Sequence, residues 1–119
     1  MAWSVDARIP VRLGHPASAG PDDAILLEAG LSPPSCGVVE RFEPSPPLHA
    51  AGCACCGGRS ATSVALDRLF QRRVRGEVPF FRRVLAVTET PEGDMAVWTA
   101  LRTDPVAAAR FRLEDDSMT

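Results

Sequence analysis

Three of this chain's four cysteines fall within four residues, in Gly52-Cys53-Ala54-Cys55-Cys56-Gly57-Gly58-Arg59. Thiolates packed this densely suit a soft metal ion: zinc or Cu(I) takes sulfur ligands readily, and cobalt or nickel is also compatible. A disulfide inside the run is a poor alternative. Neighbouring Cα atoms lie about 3.8 Å apart across a trans peptide, whereas a relaxed disulfide wants roughly 4.4–6.8 Å. Metal ligation asks less of the backbone, because the sulfurs converge on one ion at about 2.3 Å. Flanking glycines let such a loop close and turn N–H groups toward sulfur. Three thiolates leave one tetrahedral position. His49 is the nearest candidate for it, and Cys36 is the other. Each also has a plainer reading, Cys36 as a small buried side chain and His49 as a surface residue. Cys53 with Cys56 has the better spacing for thiol redox work, a further use of the same loop.

The elements on either side must hold that loop. Upstream, prolines punctuate the chain heavily. Arg8 to Leu13 reads as a short strand with Pro10 at its start or on an edge, and Gly14 to Gly20 as a small-residue loop in which His15 is an ordinary loop histidine. Pro21, Asp22 and Asp23 fit the first turn of a helix running through Ile25, Leu26, Leu27 and Ala29 to Gly30. Gly37 to Phe42 reads as a second strand, and Pro44-Ser45-Pro46-Pro47 leads into the cysteines. Downstream, Ser60 or Ser63 caps a helix with Leu66, Leu69, Phe70 and Val74 on its apolar face. Arginines and then Gly76 end it. Val84 to Val87 is an unbroken apolar run, which predicts a strand covered on both faces. Asp94 is placed to cap a helix through Val97, Trp98 and Leu101. Asp104-Pro105 starts another through Val106, Ala109 and Phe111. The alternation predicts a small α/β layer, with a mostly parallel sheet of three or four strands flanked by helices. Residues 1–113 read as one domain, loop-rich over 8–48 and more regular over 49–113, with 114–119 as a frayed tail.

The 119 residues are 45% hydrophobic and carry a formal net charge of −2. That suffices for one modest core and gives no electrostatic case for nucleic acid or an anionic membrane. No apolar stretch approaches the roughly 20 residues that span a bilayer, and the first residues lack the pattern of an export signal. A cytoplasmic, reducing setting is therefore expected. There, clustered cysteines serve metal or redox chemistry more than structural disulfides.

Gly52-Cys53-Ala54-Cys55-Cys56 resembles the Gly-Cys-X-Cys-Cys motif of the CobW-type metallochaperone GTPases. The likeness continues in order through Arg59, Arg75-Gly76-Glu77 and the arginine-led Arg83-Val84-Leu85-Ala86-Val87. It ends in Leu101-Arg102-Thr103-Asp104-Pro105 and Ala109-Arg110-Phe111-Arg112-Leu113. Residues 49–113 carry it, and residues 8–48 match in outline. The resemblance implies a P-loop-GTPase-like fold, zinc or a related ion on the cysteines, and GTP hydrolysis that drives delivery to a client. This chain departs from the family at the nucleotide. A P-loop needs Gly-X4-Gly-Lys-Ser/Thr, but here Gly14 and Gly20 are followed by Pro21-Asp22-Asp23. Proline offers no N–H to a phosphate, and carboxylates repel it. Val87 stands where the family has an acidic residue, and Thr88-Glu89-Thr90-Pro91 lacks the glycine that lets backbone approach a γ-phosphate. Strands for guanine recognition would lie beyond Thr119. The expectation is a degenerate relative that binds zinc, or cobalt, nickel or copper, through Cys53, Cys55 and Cys56, with His49 or Cys36 completing the site. No GTP and no catalytic residues are expected. The alternative is an interaction or assembly subunit that keeps the fold without the chemistry. Half a sheet, with an open edge and an uncovered face, would invite a protein partner or a second copy.

Overall fold

The computed structural model describes residues 7–33, 38–44 and 60–114. Its centre is a five-stranded sheet, parallel throughout, in the order β3-β2-β4-β1-β5. The strands are β1 (Ile9–Leu13), β2 (Asp23–Glu28), β3 (Val38–Phe42), β4 (Arg83–Val87) and β5 (Phe111–Leu113). The helices are α1 (Ala61–Val74), α2 (Pro91–Thr103) and α3 (Pro105–Arg110). The α/β class expected from the alternation holds. The sheet has five strands rather than three or four, and none is antiparallel.

The largest correction concerns residues 23–28. They form a strand, not a helix. Every residue of β2 is buried, because β2 lies between β3 and β4 with both its faces covered. Such a strand reads as a continuous apolar run, and a short run has no period that separates strand from helix. Pro21 and Asp22, which with Asp23 mimic a helix N-terminus, form a turn, and Asp23 is already the first residue of the strand. β4, between β2 and β1, is likewise interior and buried from Val84 to Val87, as its unbroken run predicts. β5 escaped notice because it is three residues long and follows directly from α3.

The helices share one face of the sheet. Leu66 and Leu69 of α1, Val97 and Ala100 of α2 and Ala107 of α3 pack over Val11, Leu26, Val84 and Ala86. On the opposite face Ile25, Leu27, Leu85 and Val87 are also buried, with Ala19, Leu31 and Val39 packed against them. That face is therefore covered at its centre, contrary to the expectation of an open one. Local signals set the helix ends. Ser60, not Ser63, caps α1, its Oγ accepting from the Ser63 amide at 3.1 Å. Thr90, not Asp94, caps α2, with Pro91 at the first helical position. Asp104 caps α3 as expected, accepting from the Ala107 amide at 2.9 Å. Gly76, at φ 72°, takes the left-handed turn past α1 that other residues resist. Val74 and Trp98 are not core residues but are 64% and 41% exposed. Among the described residues no helix is long and apolar enough to cross a membrane.

Candidate functional site at the carboxyl edge of the sheet

Because every strand runs the same way, all five carboxyl ends lie on one edge. The cysteine-bearing segment leaves the fold there. β3 ends at Phe42, and α1 opens at Ala61 behind its Ser60 cap. Between them His49, Cys53, Cys55 and Cys56 lie outside the described residues, as does Cys36. The ends of that segment are well placed: Pro44 and Ser60 line one cleft of about 260 Å³, together with Glu92, Met95, Ala96 and Thr99 of α2. The residues on either side of it, Pro44 and Ser60, thus lie close together beside the first turns of α1 and α2. Among the described residues no group of three or more His, Cys, Asp or Glu side chains could hold a metal. The donor chemistry of the cysteine segment, three thiols with a nearby imidazole in sequence, suits a soft divalent ion.

The same edge contains a topological switch point. β2 and β4 are neighbours, yet the chain leaves β2 toward β3 and leaves β4 toward β5, in opposite directions. Such a divergence opens the crevice in which α/β sheets usually bind ligands, phosphates especially, against a helix N-terminus. Here Glu28, the last residue of β2, occupies it. Its Oε1 accepts from the Glu89 amide at 2.7 Å and the Thr90 amide at 3.1 Å, and its Oε2 accepts from the Thr90 hydroxyl at 2.7 Å. The side chain is buried. Burial pushes the carboxyl up, but the Glu89 amide and the Thr90 hydroxyl and amide outweigh it and hold the group below the ordinary glutamate range. Gly93 makes room: a Cβ there would stand 2.2 Å from Glu28 Oε1. The first turn of α2 therefore already holds an anion, supplied by the chain itself. The Glu89 side chain itself is exposed.

The connection from β1 to β2 is built without an α-helix. Residues 14–22 join β1 to β2 with a single 3-10 turn, Pro16–Ser18, and no α-helix. A phosphate loop needs a following helix to aim backbone N–H groups. The Gly20 amide instead donates to Asp23 Oδ2 at 2.8 Å. Arg83 clasps that carboxylate from β4, with Nε 3.0 Å from Oδ1 and Nη2 2.8 Å from Oδ2. Burial pushes the Asp23 carboxyl up, and Arg83, the Gly20 amide and Arg12 outweigh this, leaving it below its usual range. Asp23 is thus a structural ion-pair partner. His15 sits exposed at the start of the 3-10 turn.

No family, curated protein or solved structure matches this chain. Sequence reasoning singled out the cysteines but passed over Glu28. Read as part of a helix, Glu28 is one more solvated acid. Read as the end of an interior strand, a lone carboxylate after Ala24-Ile25-Leu26-Leu27 stands where strands deliver functional groups.

Proposed function

We propose that this chain is a non-catalytic binder of a thiophilic divalent ion, zinc in the first instance, related to the CobW-type metallochaperones but uncoupled from GTP. Cys53, Cys55 and Cys56 supply the thiolates, and His49 or Cys36 completes the set. The observation that supports the reading lies in the residues flanking the thiol-bearing segment. Pro44 and Ser60 line one cleft, and Ser60, four residues after Cys56, caps the N-terminus of α1. A helix N-terminus favours negative charge and so favours thiolate over thiol. Three features of the carboxyl edge support the nucleotide-free part. No helix follows the Gly14–Gly20 loop, the Gly20 amide is taken by Asp23, and the first turn of α2 holds Glu28.

The test is metal content by elemental analysis and native mass spectrometry, on untagged protein purified without chelator and then supplied with zinc. One zinc per chain is expected, released by acid because the thiolates must lose protons to bind. Triple replacement of Cys53, Cys55 and Cys56 by serine should abolish it. Protein that takes up no zinc under these conditions would refute the reading. The assembly-subunit alternative draws support from the exposed Met95 and Trp98 of α2, and there the triple serine variant would keep its partner.

A further inference from the structure

The outward face of α2 carries two large apolar side chains, Met95 and Trp98, among its polar residues. Met95 is 64% exposed and Trp98 is 41% exposed, while Gly93, Val97, Ala100 and Leu101 face the core. Pro91, Met95, Trp98 and Arg102 follow one another at spacings of four, three and four, the seam spacing of paired helices. The Arg102 guanidinium lies over the Trp98 ring at 5.5 Å. Charge on this helix is polarised, with Glu92 and Asp94 in its first turn and Arg102 in its last.

We propose that this face of α2 is a self-association surface, on which a second copy of the chain docks with its own α2 antiparallel. The choice of a second copy and of its direction follows from the residues. Set antiparallel about a two-fold axis between Met95 and Trp98, each Met95 meets the other copy's Trp98. Thioether against indole is a favourable contact, and the two-fold repeats it. The same register brings Arg102 of each copy beside Glu92 of the other and opposes the helix dipoles favourably. A parallel arrangement stacks Glu92 on Glu92 and Arg102 on Arg102, so the charges select against it. α2 is a helix of 13 residues, about 20 Å long at 1.5 Å per residue. That contact falls short of the roughly 800 Å² per partner of a standard interface. The dimer is accordingly weak and concentration-dependent.

Sedimentation equilibrium across the micromolar to millimolar range tests this on the full chain. The apparent mass should climb toward that of two chains, and equally so for the variant with Cys53, Cys55 and Cys56 replaced by serine. Trp98→Glu or Met95→Glu, both at exposed positions, should keep the far-ultraviolet spectrum and remain monomeric throughout. Glu92→Arg and Arg102→Glu should each weaken association about tenfold, and the double swap should restore it, since the pair then meets with reversed signs. A wild-type chain that stays monomeric to millimolar concentration overturns the proposal. So does a dimer indifferent to Met95→Glu and Trp98→Glu, or a double swap no better than its parents.

Discussion

Removing the Glu28 carboxylate should unseat the start of α2. In Glu28→Ala, the Glu89 and Thr90 amides and the Thr90 hydroxyl lose their acceptor at a buried site. Hydrogen bonds to a charged group contribute about 1.5–3 kcal/mol each, and an anion at a partly buried helix N-terminus adds up to about 2 kcal/mol. Water entering the vacated space recovers part of this, so a net loss of about 4 kcal/mol is expected. At a urea slope of about 2 kcal/mol/M, the unfolding midpoint should fall by about 2 M. Glu28→Gln keeps an acceptor for the two amides but removes the charge, and should cost about 1–2 kcal/mol. The sign of the pH dependence follows from the lowered carboxyl. The charge contribution is complete above the ordinary glutamate value of 4.5 and disappears as pH falls through the lower folded value. The gap between wild type and Glu28→Gln should therefore narrow in acid. Gly93 supplies an internal control. Gly93→Ala places a Cβ 2.2 Å from Oε1 and 2.8 Å from Cδ of Glu28 and should destabilise the wild type. In the Glu28→Ala background the clash with Glu28 is gone and only a tight 3.3 Å contact with Thr88 Cβ remains, so Gly93→Ala should cost far less there than in the wild type. Additive effects of the two substitutions, or a Glu28→Ala loss below about 0.5 kcal/mol, would refute the account.

Two further substitutions probe other anchors of the edge. Asp23→Asn removes the charge from the part-buried pair with Arg83 and leaves the guanidinium, itself 27% exposed, facing an amide. Chemical denaturation at neutral pH should show a loss of about 1–3 kcal/mol, shrinking as pH falls below the ordinary aspartate value of 3.8 through the lower folded value. Ser60→Ala removes the α1 cap and should cost about 1 kcal/mol in the same assay. Zinc stoichiometry should be unchanged, since Ser60 is no ligand in the proposed site.

The parts of this fold that were legible in the sequence are those where local chemistry and tertiary demand agree. The Val84–Val87 run has no polar residue to expose, and it is an interior strand. Asp104-Pro105 offers a cap and a fixed φ together, and α3 starts there. Residues 21–28 misled because the local signal pointed one way and the context another. Acidic residues after a proline suit a helix start, but Asp23 belongs to Arg83, 60 residues away. No sequence window contains that partner. Glu28 was hidden for the same reason, since its donors come from residues 89 and 90. Asp94 and Thr90 both suit a cap. The choice fell to Thr90, whose hydroxyl donates to Glu28 while its oxygen accepts from the Gly93 amide at 3.0 Å. The cysteine motif, by contrast, is purely local in sequence and lies outside the described residues. What flanks it, the shared cleft of Pro44 and Ser60, is not local in sequence.

The strand order also governs how the molecule can be made. β4 is fourth in the chain but stands in the middle of the sheet, between β2 and β1. Until residues 83–87 have been synthesised, β1 has no neighbouring strand, because both of its partners, β4 and β5, come later. A nascent chain at that stage can assemble only the β2–β3 pair, and a lone two-stranded pair is marginal in water. Ile9, Val11 and the β2 run Ala24-Ile25-Leu26-Leu27 stay uncovered while the cysteine segment and α1 are translated. At about 5–20 residues per second, that interval lasts several seconds. The cysteines thus emerge before β4, the strand that joins β1 to the β2–β3 pair, has been made.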